Sequence, residues 1–301
     1  MLESFQHTSV LLPETVEALT SSLSGLYLDC TLGGGGHSEG ILQASEQNSV
    51  IGVDRDPFAL QAATNRLRHF GERFQSRQGA FADVLETFPD QYFDGILMDL
   101  GVSSPQLDQA ERGFSFSQDG PLDMRMNPTQ GIPASDWLDQ IEETELANII
   151  YRYGEEPRSR RIARAIIKER PWQRTVDLAE CIRRASGYKN SKTHPATRTF
   201  QAIRIAINDE LIQLEEGMAI AVNKLKSNGR LAIISFHSLE DRLVKHFFVQ
   251  CTGRKGPKDA FGNSLSPSVG TILYRKGISG KEQDPSNPRA RSARLRVLQK
   301  H

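Results

Sequence analysis

The chain of 301 residues is short of the features that mark exported, membrane-bound and metal-bound proteins. No apolar run approaches the roughly twenty residues that a membrane-spanning helix needs. The first residues, Met1 to Gln6, carry neither a basic cluster nor an apolar stretch of the export type, so a cytoplasmic location and no membrane partner are expected. Cysteine is scarce: Cys30, Cys181 and Cys251 lie far apart and in no C-x-x-C arrangement, which argues against a disulfide framework and a zinc site. Seven scattered histidines show no metal-ligand spacing, and no metal is expected. Internal repeats and long low-complexity tracts are missing as well.

Net charge is also missing, since 37 basic residues balance 37 acidic ones. The balance conceals an asymmetry. Residues 1–150 hold 7 Lys or Arg against 23 Asp or Glu, whereas residues 151–301 hold 30 against 14. The basic half contains Arg158, Arg160, Arg161, Arg164, Lys168 and Arg170 on one stretch, then Arg183 and Arg184, and Arg289, Arg291, Arg294 and Arg296 near the end. Such clusters suit contact with a phosphate backbone; neutralisation against the acidic half is the competing reading.

Glycine, by contrast, is concentrated at one place. An apolar run ends in Asp29, and after Cys30-Thr31-Leu32 come Gly33, Gly34, Gly35 and Gly36, then His37-Ser38. Backbone without side chains lets a ligand lie against the main chain. A second apolar run, Val50-Ile51-Gly52-Val53, ends in Asp54, which is placed to accept hydrogen bonds from a ribose. Together these read as the first two strands of a Rossmann-type α/β sheet. His37 stands where an ATP-binding loop needs Lys, and the pattern G-x-G-x-x-G, counted from Gly33, fails at Ser38. S-adenosylmethionine has the same adenosine and no pyrophosphate, so the loop suits it better than NAD.

Two further runs repeat the design. Ile96-Leu97-Met98 ends in Asp99, followed by the small-residue turn Gly101 to Gln106, and Leu231-Ala232-Ile233-Ile234-Ser235 leads to His237. In a parallel sheet such ends gather on one edge, where ligands bind. Asp56-Pro57 is expected to open the helix after the second strand, and Ser238 with Asp241 the helix after His237. A weaker third strand is expected at residues 74–81.

From about residue 106 the strand pattern disappears. A Gly-, Pro- and Asp-rich loop leads into helices expected at 135–153, 158–170 and 175–187, then one long helix whose apolar stripe runs from Phe200 through Ile203, Ile207, Leu211, Leu214, Met218 and Val222 to Leu225, with Asn228-Gly229 as its stop. Short strands at 272–275 and 295–298 are expected between loops at 253–271 and 277–287. The expected division is a discontinuous sheet domain, 1–105 with 213–301, and an inserted helical domain, 106–212.

These residues resemble the bacterial ribosomal-RNA cytosine-N4 methyltransferase family known as RsmH, formerly MraW. The resemblance rests on His7 to Leu12, Asp29 to Ser38, Gly52 to Pro57, Asp94 to Asp108, Arg112 to Phe116, Asp119 to Met126, His194 to Ala202, Ile234 to Arg242 and Asn287 to Ser292, nearly end to end. It implies a class I, Rossmann-like methyltransferase sheet with an inserted helical substrate-recognition domain. It also implies S-adenosylmethionine as donor and a cytidine in the decoding region of small-subunit (16S) ribosomal RNA as acceptor. Cofactor contacts are implied at Gly35, Gly36, His37, Asp54, Phe81, Asp99 and Gln106.

The exocyclic amine of cytosine is a poor nucleophile, and a group that accepts its N–H would assist transfer. Asp99, Ser104 and His237 are the candidates for that role. Methylation at C5 needs a cysteine nucleophile, and none of the three is suitably placed. Phe114 and Phe116 are read either as base-stacking residues or as loop anchors. Arg198, Arg204, Arg289 and Arg291 are candidate phosphate contacts. An NAD-dependent oxidoreductase and a non-catalytic RNA-binding assembly factor remain the alternatives. Naked RNA and an assembled subunit are both compatible with the sequence.

Overall fold

The computed structural model describes residues 9–20, 25–187, 194–254 and 267–301. The chain divides into two compact units, residues 1–101 with 212–301, and residues 102–211.

The first unit is built on one sheet: β1 (Leu26–Asp29), β2 (Ser49–Asp54), β3 (Phe74–Gln78), β4 (Phe93–Asp99), β5 (Leu225–Ser235), β6 (Gly270–Ile272), β7 (Ile278–Ser279) and β8 (Arg294–Lys300). Its order is β3-β2-β1-β4-β5-β8-β6, with β7 also paired to β8. Strands β1 to β5 are mutually parallel, while β8 runs antiparallel to β5, β6 and β7. Both faces are covered, as a parallel sheet requires. Leu28, Ile51, Ile96, Met98, Leu231 and Ile233 fill one core, and their neighbours Tyr27, Val50, Leu97, Ala232 and Ile234 fill the other. Helices α1 (Leu12–Leu19), α2 (Gly36–Ala44) and α3 (Pro57–Leu67) pack on the Tyr27 side through Leu19, Ile41, Leu42 and Leu67. As the sequence predicts, Asp56 opens α3: its Oδ1 accepts from the Phe58 amide at 3.0 Å, with Pro57 in the first turn. On the other face lie α4 (Phe81–Glu86) and the helices that flank β5.

The second unit contains α5 (Ser104–Asp108), α6 (Ala134–Gln140), α7 (Glu143–Gly154), α8 (Ser159–Glu169), α9 (Thr175–Ser186) and α10 (Ala196–Ile207). Residues four or three apart on successive helices, Leu146 and Ile150, Ile162 and Ile166, Leu178 and Ile182, Phe200 and Ile203, converge on its core. Each unit is electrically balanced, with 21 basic and 21 acidic residues in the first and 16 of each in the second. The opposed charges of the two chain halves therefore meet within each unit.

Several expectations are corrected. The long helix is two: α10 ends at Ile207, and α11 (Glu210–Lys224) begins after Asp209 takes a left-handed φ of 51°. The apolar stripe continues through this break because its halves serve different cores, Phe200 and Ile203 in the second unit and Leu214, Met218 and Val222 in the first. Helix α11 stops at Lys224, before Asn228-Gly229, which instead lie within β5. The helix expected at 135–153 breaks where Ile141 and Glu142 turn extended. After Cys251, residues 255–266 lie outside the described residues; the loop expected at 277–287 holds β7 and α13 (Gly280–Gln283). The expected strands are found as β6 and β8, with shifted ends.

Asn208 explains the break between α10 and α11. Its Nδ2 donates to the carbonyls of Met124 and Arg204 at 2.8 and 2.9 Å, and its Oδ1 accepts from the Met126 amide at 2.8 Å. Asn208→Ala strands a carbonyl and an amide in the interior, and is expected to destabilise the second unit by about 2–4 kcal/mol. Denaturant unfolding checks this, and a loss of less than about 0.5 kcal/mol would contradict it.

Candidate cofactor site

Three parallel strands end in acids, Asp29 on β1, Asp54 on β2 and Asp99 on β4, beside the point where the strand order reverses between β1 and β4. Crevices at such reversals are where α/β sheets bind ligands. The turn after β1 is tied to all three acids. Asp29 accepts from Ser38 Oγ at 2.7 Å and from the Thr31 amide at 3.2 Å. Thr31 Oγ1 in turn accepts from the Asp99 amide at 2.6 Å, and Asp54 accepts from the Gly33 amide at 2.8 Å and the Asp56 amide at 2.9 Å.

The glycines are required for different reasons. Gly33 and Gly35 have φ of 50° and 78°, where only glycine is unstrained. A Cβ on Gly36 would overlap Ser9 Oγ, whereas one on Gly34 would meet nothing. Gly34 is therefore the replaceable member of the run. The Gly33 amide is held by Asp54, and the Gly35 amide donates to the Leu32 carbonyl at 2.8 Å. Two of the four loop amides are thus unavailable to a phosphate.

Burial dominates the electrostatics. It pushes the Asp29 carboxyl up to about 6, against the bonds from Ser38 and Thr31 and with the help of the Asp54 charge. Burial also raises Asp54, opposed by the amides of Asp56 and Gly33. Asp99 is held well above the ordinary carboxylate range by burial and then by the charges of Asp29 and Glu240. A quarter of the Asp99 side chain is exposed, but its Oδ1 is enclosed and has no hydrogen-bond partner among the described residues.

His37 is buried, with Nε2 3.1 Å from the Val10 carbonyl and Nδ1 3.5 Å from Asp99 Oδ2. A carbonyl can only accept, so Nε2 carries the hydrogen and Nδ1 faces the acid.

His237 follows β5 and caps α12 (Ser238–Cys251) with its own ring, correcting the cap expected at Ser238. Its Nδ1 accepts from the Glu240 amide at 3.4 Å, and Nε2 lies 3.1 Å from Glu240 Oε1, outside hydrogen-bond alignment. Glu240 is buried and also accepts from the amides of Phe236 and His237 at 2.8 and 3.2 Å. Sequence reasoning missed Glu240, although its place three residues after a cap was a visible signal. Asp29 and Thr31 were seen only as parts of a motif.

Phe81 begins α4 and packs closely on Gly217 of α11, where any Cβ would overlap its ring. Burial pushes the Cys30 thiol well above its ordinary value, leaving no thiolate nucleophile there.

Ser104 and Gln106 belong to the second unit, in the first turn of α5. Both are buried, and Gln106 forms a capping box with Ser103, its Oε1 accepting from the Ser103 amide at 3.0 Å. In the same unit Phe114 is buried, and Phe116 packs edge-on against Phe200 at 4.8 Å, which suits loop anchoring. Arg198 is 56% exposed, 3.8 Å from Glu156. Arg204 is only 15% exposed and forked onto Glu210 at 2.7 and 2.9 Å, so its charge is neutralised internally. In the first unit, Arg289 is half-buried and Arg291 exposed.

The antiparallel β8 between β5 and β6 distinguishes this sheet from the dinucleotide-binding order and makes it the class I, Rossmann-like methyltransferase sheet. Its strand ends offer carboxyls where a dinucleotide needs free amides. Residues 4–301 match the MraW methylase family, and the chain belongs to that family. A protein of Synechococcus elongatus called ribosomal RNA small subunit methyltransferase H is 47% identical over 300 residues, covering 99% of this chain and 95% of that protein. One of the same name from Trichlorobacter lovleyi is 46% identical over 312 residues, covering 99% of each.

Asp29 gives this site a pH signature. A carboxyl raised from 3.8 to about 6 on folding holds its proton more tightly in the native state, so its contribution to stability is complete below pH about 4 and is lost as pH rises through 6. The stability of Asp29→Asn relative to the parent should therefore improve by about 2 kcal/mol between pH 4 and 7. Denaturant unfolding across that range checks this; a pH-independent difference would contradict it.

Proposed function

We propose that this protein transfers the methyl group of S-adenosylmethionine to the N4 amine of a cytidine in the decoding region of small-subunit ribosomal RNA, acting in the cytoplasm. The supporting observation is the gathering of Asp29, Asp54 and Asp99 about a turn whose amides are half engaged, with the charge of Glu240 acting on Asp99. A sulfonium donor with an ammonium group brings positive charge to these acids and relieves their repulsion. A dinucleotide would bring a pyrophosphate against the same acids, which disfavours the oxidoreductase reading.

The residues fit the donor. Each Asp54 oxygen accepts one amide and keeps a lone pair for a ribose hydroxyl. The enclosed Oδ1 of Asp99 awaits a hydrogen-bond donor. Gly35 and Gly36 let the turn pack tightly against Leu67 and Ser9, where a Cβ would crowd, and Phe81 at the start of α4 offers an apolar ring. When bound, the donor supplies an electrophilic methyl on sulfur for in-line displacement. Methylation of N4 would leave that nitrogen with a surplus proton, which a residue of this chain must accept. Asp99 takes that proton once the positive charge of the donor has favoured its ionised form. His37 approaches the other oxygen of Asp99 at 3.5 Å, and Glu240 fixes His237 at the end of β5.

Purified protein given methyl-labelled S-adenosylmethionine with unmodified small subunits or free ribosomal RNA should yield labelled N4-methylcytidine after digestion. Label at C5, or none on either RNA, would refute the assignment. Asp54→Ala should weaken S-adenosylmethionine binding about 10- to 100-fold by calorimetry, as loss of hydrogen bonds to a charged acceptor implies. Asp99→Asn should lower kcat at least about 100-fold, the scale of general-base catalysis; near-parental kcat with saturating donor would remove Asp99 from the proton-accepting role.

A further inference from the structure

The basic residues of the helical unit are not equivalent. Arg125, Arg174, Arg183, Arg184 and Arg204 each meet a carboxylate at 2.6–2.7 Å. Arg170 donates to the carbonyls of Leu138 and Ile141 at 3.4 and 3.3 Å, and Arg158 to the carbonyl of Ser186. These cations are engaged in holding the unit together. Arg160, Arg161 and Lys168 are exposed and have no acidic or carbonyl partner among the described residues.

All three lie on α8. At about 100° per residue, Arg160, Arg164, Lys168 and Arg161 fall within one arc of about 100°, directly opposite the buried stripe of Ile162, Ala163 and Ile166. Arg164 belongs to the same face, 74% exposed and only loosely paired with Glu143 at 3.5 Å. No acid interrupts the arc, since Glu169, the one acid of the helix, lies outside it and pairs with Arg184 at 2.6 Å. A purely solvated helix face usually mixes charge signs. Four cations without an acid among them repel one another unless a polyanion neutralises them.

We infer that the outer face of α8, Arg160, Arg161, Arg164 and Lys168, binds the sugar-phosphate backbone of the RNA substrate. Arginine forks and the lysine ammonium suit phosphate oxygens, and four residues along a helix advance by about 6 Å, so Arg160, Arg164 and Lys168 form a ladder that can follow a strand. The contact is independent of base sequence, and it adds affinity and orientation without selecting the cytidine. This inference rests on the RNA-methylating function proposed above.

The test compares the parent with two triple variants, Arg160→Glu/Arg161→Glu/Lys168→Glu and Arg160→Gln/Arg161→Gln/Lys168→Gln, the second guarding against misfolding. Binding of labelled ribosomal RNA is measured from 50 to 200 mM salt, with the S-adenosylmethionine-induced rise in Tm as a check on the first unit. The Gln variant should bind at least about tenfold more weakly at low salt, and the slope of log affinity on log salt should shrink by about 2, near 0.7 for each single-strand phosphate that is no longer neutralised. The rise in Tm should be unchanged. If the parent binds and methylates RNA and both variants match its affinity and slope, the α8 assignment is wrong and the proposed function stands. If the parent neither binds nor methylates RNA, both fall.

Discussion

Carboxyl groups buried at the ends of adjacent parallel strands set the terms for the first unit. Asp29 and Asp54 draw their hydrogen bonds from the backbone and hydroxyls of the turn beside them, whereas the turn reaches Asp99 only through its backbone amide. Those bonds fix the glycine turn. With the Gly33 amide on Asp54 and Thr31 bridging Asp29 to the Asp99 amide, the loop is shaped by the acids it borders. The energy of holding like charges together remains partly unrelieved, and that makes the site receptive to a cation. Asp99, with one oxygen near His37 and the other enclosed without a partner, is where the imbalance concentrates.

Strand ends and sheet class were legible because they depend on local pattern: apolar runs closed by acids, glycine where φ is positive, Asp56-Pro57 at a helix start. Where two helices shared one register, local pattern failed. The stripe from Phe200 to Leu225 keeps helical spacing across Asn208-Asp209, and only the two separate cores show that its halves have different tasks. The cap at His237 was missed for a related reason. Histidine is an uncommon cap, and Ser238 beside it fits the usual rule. Glu240 escaped notice because the cap was assigned to Ser238, one residue late, which put Asp241 and not Glu240 in the third helical position.

Charge was the feature most easily misread along the chain. An acidic first half and a basic second half suggest a bipolar molecule, yet the chain crosses between units so that each is neutral in sum. What distinguishes cations is the company they keep. Arg204 looks like a phosphate contact in sequence and is forked onto Glu210, while on the outer face of α8 only Arg164 meets an acid among the described residues, and loosely.

The most direct test of this account is a carboxyl-carbon NMR titration of Asp29 and Asp99, in the free protein and with S-adenosylmethionine bound. Burial and mutual repulsion predict Asp29 titrating near 6 and Asp99 well above the ordinary carboxylate range, with Asp99 falling when the cationic donor binds. Ordinary carboxylate titration of both, unmoved by the donor, would contradict the claim that strained acids form the cofactor site.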